Sequence, residues 1–270
     1  MTCEVKVIED SINPYNGIRL TTMQLRYWRA IHAETLTHRQ FSRCASSSRA
    51  VPLKTTIKNI WNDPAGPTYW GKNKPGMQAS EELTGFDKTI AQGMWKASSL
   101  LMCSLAWTMD KVVSPHKQVI NRLLEPWQYI SVIVTATEWD NFYNLRIHPA
   151  AQPEMQELAR AMKAAQDASI PTERLMHLPY ITQEEREILT PEEAFKVSTA
   201  RCARVSYLKH DGSKPSLEED MKLYQRLVGS QPIHASPSEN CAWAVDFEGF
   251  IKNFKGWEQH RVTVEESLND

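Results

Sequence analysis

The sequence predicts a mixed α/β (α+β) chain, a central sheet with flanking helices, on three observations. Residues 129–137 (YISVIVTAT) are β-branched almost throughout, the profile of a strand buried on both faces. Residues 4–8 (EVKVI) alternate polar and apolar like a half-buried strand. Thr182 with Glu185, and Thr190 with Pro191 and Glu193, are the residue pairs that cap helix starts.

The other elements follow in chain order. Asn13-Pro14-Tyr15-Asn16-Gly17 is a turn after the first strand. Over residues 21–36, Leu25, Trp28, Ile31 or His32, and Thr35 or Leu36 recur at helical spacing and predict a helix that delivers the chain to Thr37-His38-Arg39. The serine-rich stretch after it favours neither helix nor strand. Residues 61–76, rich in proline and glycine, predict an ordered loop anchored by Trp61, Tyr69 and Trp70. Helical patterning resumes near Glu81 and runs, with breaks, to Asp110. After the buried strand, the T-x-x-D start from Thr137 to Asp140 predicts a helix with Trp139, Phe142, Tyr143 and Arg146 on one side. Another helix is expected over 152–168, and the Thr190 helix reaches toward Ala203-Arg-Val-Ser-Tyr207. No repeat, low-complexity tract or flexible linker divides the chain, so a single domain over 1–270 is expected.

Composition narrows the function classes. With 41% hydrophobic and 23% charged residues the chain can bury a core, which excludes disorder. Thirty-one basic and thirty-two acidic residues leave a formal charge of -1, so no global positive field exists to coat nucleic acid. There is no basic leader before an apolar run, and no apolar stretch of the ~18 residues a bilayer requires, so a soluble, unprocessed protein with no membrane partner is expected. Five scattered cysteines without a CxxC pair argue against disulfides and cysteine zinc sites and for a reducing cytoplasm. The eight histidines form no HExxH, so no metal is expected. GxSxG and GxGxxG are absent. Gly66-Pro-Thr-Tyr-Trp-Gly71-Lys72-Asn73 imitates a phosphate loop but lacks the hydroxyl after the lysine, a preceding strand and a following helix.

The segment 37–49 stands out. Arg39, Arg43 and Arg49 interleave with Ser42, Ser46, Ser47 and Ser48, offering forked donors and hydroxyls to phosphate oxygens, unless the segment is merely a solvated basic turn. Cys44 within it has two readings, a thiolate activated by the neighbouring arginines or a small packing residue.

This segment resembles the signature of flavin-dependent thymidylate synthases, RHRxxSxNExSxR, with His38, Arg39, Ser42, Ser47 and Arg49 in place. Arg122-Leu-Leu-Glu-Pro126, the buried strand, Asn141-Phe-Tyr-Asn-Leu-Arg146 and Ala151-Gln-Pro-Glu154 resemble that family's next blocks in the same order. Ala203-Arg-Val-Ser-Tyr207 and His234-Ala-Ser-Pro-Ser-Glu239 resemble a block that family members carry before the signature. Here it comes last, so the chain resembles a circularly permuted, phage-type member. Permutation is physically reasonable where termini lie close together at the surface. The resemblance is weakest over 53–110 and 160–195.

The resemblance implies a flavin-dependent thymidylate synthase-like fold and a homotetramer with active sites between subunits, working in the cytoplasm or, for a phage protein, that of its host. It implies that NADPH-reduced FAD supplies a hydride in converting dUMP to dTMP, with methylenetetrahydrofolate as carbon donor and no cysteine nucleophile. Arg146 is then the catalytic residue, stabilising negative charge on the pyrimidine. Glu34, Ser46, Ser47, Ser48, Arg49 and Arg122 join it at dUMP. Glu34 stands where many members have Gln, and a carboxylate there must face a sugar hydroxyl or an arginine. His38, Arg39, Asn141, Ser206, His234, Ser236 and Glu239 match flavin positions. The chain departs from the family at Thr37, which replaces an arginine, at Cys44-Ala45, which replaces Asn-Glu, and at Thr135-Ala-Thr137, which lacks the Asn and Arg of some members. Those departures keep open a C5 hydroxymethylation or another pyrimidine nucleotide. A non-catalytic nucleotide or RNA-binding module, stacking bases on the nine tryptophans, is the reading from a different class.

Overall fold

The computed structural model describes residues 3–79, 81–205 and 213–267. Its central sheet has five strands in the order β3-β4-β2-β1-β5, formed by β1 (Glu4–Ile12), β2 (Arg19–Trp28), β3 (Ser42–Ala45), β4 (Tyr129–Ala136) and β5 (Thr172–Glu173). The first four pair antiparallel, and the short β5 lies parallel to β1 at the edge.

β4 is the strand that the β-branched run predicts, and it is buried on both faces. Ile130, Val132 and Val134 pack with Met23, Leu25 and Tyr27 of β2 against two helices, while Ile133 points into a second cluster with Cys44, Phe195 and Cys241. Those two helices are α5 (Asp140–Arg146) and α6 (Pro153–Asp167), which contribute Phe142, Met155, Leu158 and Met162.

The helix expected over 21–36 is the largest departure. Residues 19–28 are β2, hydrogen-bonded to β1 on one side and β4 on the other, and only the 3-10 turn Arg29–Ile31 and the single helical turn α1 (His32–Thr35) follow. Met23, Leu25 and Tyr27 are buried at period two, a spacing that a helical reading of Leu25, Trp28 and Ile31 overlooks. Ladder bonds on both sides come from distant segments, and these decide the matter. The turn at residues 13–17 forms as expected: the Asn13 side chain accepts from Tyr15 N–H at 2.8 Å, and Gly17 takes a φ of +71°.

Between β3 and β4 lie α2 (Leu53–Asn62), the 28-residue α3 (Gly85–Val112), the short α4 (Lys117–Ile120) and a 3-10 run at Asn121–Trp127. α3 is continuous, without the expected breaks. The loop before it is anchored by Trp70, whose ring meets Trp95 edge-on, whereas Trp61 belongs to α2 and is exposed. Gly66 lies flat on Trp95, where a Cβ would come within 2.5 Å of the indole nitrogen.

The other face of the sheet is covered by α7 (Gln183–Ile188), α8 (Pro191–Arg204), α9 (Leu217–Val228) and the C-terminal strands, of which β6 (Met176–His177), β7 (Ala242–Ala244) and β10 (Trp257–Gln259) form a three-stranded sheet. β8 (Phe250–Ile251) pairs with β9 (Phe254–Lys255), and α10 (His260–Glu266) closes the described chain. The capping boxes at Thr182 and Thr190 both form. Thr137 is no cap: α5 has no side-chain cap, and the Thr137 hydroxyl accepts from Lys255 N–H instead. Among the described residues no helix is long and apolar enough to cross a membrane.

His260 packs on Phe195 at 4.7 Å between ring centroids, and both its ring nitrogens lack a partner within the chain. Burial, with a smaller contribution from Lys196, pushes its pKa down to about 4. The unfolded chain binds this proton below about pH 6.5, so stability falls as pH drops from there toward 4. His260→Phe keeps the packing and removes the proton. Its urea unfolding free energy is expected to fall by about 2 kcal/mol less than the wild type's between pH 7 and pH 5. Parallel pH profiles would show that His260 is not the acid-sensitive group.

Candidate functional site

Arg146 is the point at which distant segments meet. β4 ends at Ala136, whose carbonyl accepts from the buried Trp139 indole at 3.0 Å, and this anchors α5 so that Phe142 and Tyr143 point inward. Arg146, in the last turn, emerges half-buried against residues 34–38, more than a hundred positions away in sequence. Its Nε donates to His38 Nε2 at 3.1 Å and Nη1 to the Glu34 carboxylate at 3.1 Å. Nη2 donates to the Glu34 carbonyl at 3.3 Å and the Thr37 hydroxyl at 2.8 Å. Four of the five guanidinium N–H groups are thus engaged, and one on Nη1 stays open.

The 29–38 turn is built to hold this contact. The buried Tyr27 hydroxyl bonds His32 Nδ1 at 2.8 Å and the Thr35 hydroxyl at 3.0 Å, and Arg43 donates to the Thr35 and His38 carbonyls. His38 packs its ring edge-on against Phe142 at 4.8 Å. Burial first, then Arg146 and Arg43, lowers its pKa. The imidazole is therefore neutral near pH 7 and accepts from Arg146 at Nε2, which assigns its proton to Nδ1.

The serine segment forms a second cluster. β3 runs along β4, and Ser46 extends that pairing: its N–H donates to the Ser131 carbonyl at 2.8 Å, and its hydroxyl accepts from Ser131 N–H. The chain then turns, with Arg49 N–H on the Ser47 hydroxyl. Ser48 donates to the Glu125 carboxylate at 2.7 Å, which also accepts from Arg122 at 2.8 Å, and Asn121 donates to the Ser48 carbonyl. Beside this turn opens a cavity of about 960 Å³, lined by Ser46, Ser47, Ser48, Arg29, Trp127 and, opposite, Leu227. Arg49 is exposed, paired only with Ser47.

The flavin-matched residues divide. Arg39 and Asn141 are exposed without a partner, flanking the His38–Arg146 contact in sequence. The 3-10 turn Ser236–Asn240 packs against β3: Cys44 donates to the Ser236 carbonyl, and Asn240 donates to Cys44 sulfur at 3.3 Å. Glu239 is held by Arg261, and His234 is exposed. Ser206 lies outside the described residues. A free guanidinium, a free amide and a neutral imidazole on an aromatic ledge suit the phosphates and ring of a flavin dinucleotide, so the His38, Arg39 and Asn141 set fits that group. Glu239 accepts from Arg261 through one carboxylate oxygen and supplies no donor or positive charge to that set. Among the described residues no group of three or more His, Cys, Asp or Glu could hold a metal.

Cys44 is 8% exposed and bonded inside the sheet, and burial pushes its thiol up to about 12. The packing reading of this residue holds. Three residues at the site lie outside the expected set: Arg29, Glu125 and Trp127. Arg29 sits in the middle of the run read as a helix, off the apolar face of Leu25, Trp28 and Ile31, where nothing in the pattern directs its charge to a site. Glu125 is a single carboxylate beside a proline, and only its bonds to Ser48 and Arg122 single it out.

No protein-family model matches the chain, and no curated protein matches it. Among solved structures it is similar to thymidylate synthase X (ThyX) from Helicobacter pylori with FAD and dUMP, at 16% identity over 54% of this chain and 67% of that one, with a TM-score of 0.38. It is also similar to a UMP/dUMP methylase, PolB, from Streptomyces cacaoi bound with 5-Br dUMP, at 12% identity over 61% of this chain and 89% of that one, with a TM-score of 0.47.

Brief treatment of the native protein with iodoacetamide at pH 8, followed by peptide mapping, is expected to leave Cys44 unmodified until denaturant is added. Rapid native labelling of Cys44 would overturn the packing described for β3.

Proposed function

We propose that this chain catalyses the reductive methylation of dUMP to dTMP, with methylenetetrahydrofolate as carbon donor, FAD as hydride carrier and NADPH as reductant. One observation carries the reading. The two motif segments that resemble flavin-dependent thymidylate synthases, 34–49 and 141–146, are far apart in sequence and meet at the Arg146 guanidinium.

In this reading the open N–H of Arg146 faces the pyrimidine and stabilises negative charge as it develops there. Glu34, Thr37 and His38 fix the guanidinium, so little reorganisation accompanies the reaction. Glu34 acts on the nucleotide through Arg146, the arginine that the Gln-to-Glu change requires. Ser46, Ser47, Ser48, Arg49 and Arg122 hold the phosphate end. His38, Arg39 and Asn141, with Ser206, His234, Ser236 and Glu239, hold the flavin, which when bound supplies the hydride. Cys44, buried and protonated, takes no part as a nucleophile.

A homotetramer with shared active sites belongs to the same proposal. Phe86, Ile90, Met94, Leu101, Leu105 and Val112 are exposed along one stripe of α3 at helical spacing, and Arg39 and Asn141 are left open at the surface. The circular permutation is supported by the packing of the 236–240 turn on β3, which returns the late block to the signature. The RNA-binding alternative loses most of its stacking surfaces: Trp28, Trp70, Trp95 and Trp127 pack on one another and Trp139 and Trp257 are buried, while Trp61 and Trp107 stay exposed on separate helices.

The test is mass spectrometry of the nucleotide formed anaerobically from dUMP with FAD, NADPH and methylenetetrahydrofolate. A methyl increment is expected; a hydroxymethyl increment, or turnover only on another pyrimidine nucleotide, would replace the reaction while keeping the site. Arg146→Ala is expected to fold, retain flavin and lose at least about 100-fold in turnover. Normal turnover would remove Arg146 from catalysis. Sedimentation is expected to give a tetramer, and a fully active monomer would overturn the shared site.

A further inference from the structure

The cavity beside the serine turn contains a cation whose partners are insufficient for its burial. Three arginines line it, and two are neutralised. Arg26 pairs with Glu4 at 3.1 Å and Asp63 at 2.9 Å and lies over the Tyr129 ring, and Arg204 pairs with Asp220. Arg29 differs. Its side chain is 17% exposed, its one hydrogen bond runs from Nη2 to the Ser46 carbonyl at 3.3 Å, and its nearest carboxylate oxygen, on Glu125, is 3.9 Å away. That same oxygen already accepts from Arg122 and Ser48 at 2.8 and 2.7 Å. The Arg29 Nε is buried with no partner.

A second observation lies in the same wall. Trp127 is 8% exposed and lines the cavity, and its indole N–H is buried without a partner. The backbone N–H groups of Ser47 and Ser48, also in the wall, make no hydrogen bond. Arg29, with its one hydrogen bond, and the two unbonded backbone N–H groups thus belong to one wall of the cavity, and the Arg29 Nε and Trp127 indole N–H are buried in that wall without a partner. Leaving donors and a cation desolvated in this way is costly, and an anion with several acceptor oxygens would repay it. A tetrahedral phosphate suits a guanidinium fork and adjacent turn N–H groups better than a single carboxylate does.

We infer that Arg29 is a phosphate-binding residue of this cavity, a further cation that receives the 5′-phosphate of the nucleotide substrate. The inference rests on the pyrimidine-nucleotide reading above and adds to it a residue that no motif marks. In that reading Arg146 addresses the base, and Arg29 joins Ser46, Ser47, Ser48, Arg49 and Arg122 at the phosphate. The competing role is structural, Arg29 bracing the Ser46 carbonyl and touching no ligand.

Ligands with and without the phosphate separate the two roles. Binding of dUMP and of deoxyuridine to the full-length flavin-loaded protein is measured by calorimetry for the wild type, Arg29→Gln and Arg29→Lys. Arg29→Gln is expected to weaken dUMP about 10- to 100-fold while leaving deoxyuridine unchanged, and Arg29→Lys, which keeps the charge without the fork, to fall between. Inorganic phosphate is expected to compete with dUMP in the wild type and to compete less in Arg29→Gln. Parallel weakening of dUMP and deoxyuridine, or none, overturns the inference; should Arg29→Gln not fold, the same comparison is made with Arg29→Lys. Inorganic phosphate is also tested alone, by thermal unfolding at matched ionic strength. If the wild type binds no dUMP but phosphate stabilises it and not the Arg29 variants, the anion site stands and the nucleotide reading fails. If dUMP binds and phosphate acts equally on all three proteins, the reading stands and Arg29 is only a brace.

Discussion

Burying β4 on both faces is the constraint from which the rest of this structure follows. A strand with Ile130, Val132 and Val134 on one side and Ile133 on the other must have cover above and below the sheet. α5 and α6 supply one layer, and α8 with the C-terminal strands supplies the other. The candidate site is assembled from the elements forced into place by this requirement. α5 can present Arg146 only because Phe142 and Tyr143 are drawn into the core, and β3 holds the serine segment only because it adds to the edge of β4.

Charge at the site is organised around two shared groups. Arg146 collects Glu34, Thr37 and His38, and the Glu125 carboxylate collects Ser48 and Arg122. Each ties two segments remote in sequence, α5 to residues 34–38 and the 121–127 run to Ser48, which fixes the geometry of loops that would otherwise be soft. The arrangement also decides what remains available. Arg146 retains one donor, Arg39 retains all of its own, and Arg29 is left with one hydrogen bond in a desolvated wall. Unequal satisfaction of similar guanidinium groups separates those that brace the structure from those that can receive a ligand.

The departures from the signature that residues 37–49 resemble have distinct physical consequences. Thr37 gives up a cation and spends its hydroxyl on Arg146. Cys44 gives up an amide and joins the core, where its sulfur accepts from Asn240. Ala45 is exposed and leaves the neighbourhood without the carboxylate that the signature carries. The nearest carboxylate to the serine turn is instead Glu125, contributed by the 3-10 run before β4.

By itself the sequence determined those features that are local or strongly periodic: the buried strand, the capping boxes at Thr182 and Thr190, the turn at residues 13–17, and the motif residues from His38 to Arg49 and at Arg146. Each is encoded within a few neighbouring positions, by β-branching, by a side chain that can reach its own backbone, or by residue type at fixed spacing. Tertiary structure alone decided the rest. β2 is a strand because β1 and β4 supply ladder bonds to both of its edges, overriding a spacing that also suits a helix. Glu34 meets Arg146, Glu125 meets Ser48, and Arg29 and Trp127 share a cavity wall through contacts between segments remote in sequence. Whether a charge is paired, buried or left open depends on what the fold brings to its far side, and no local pattern carries that information.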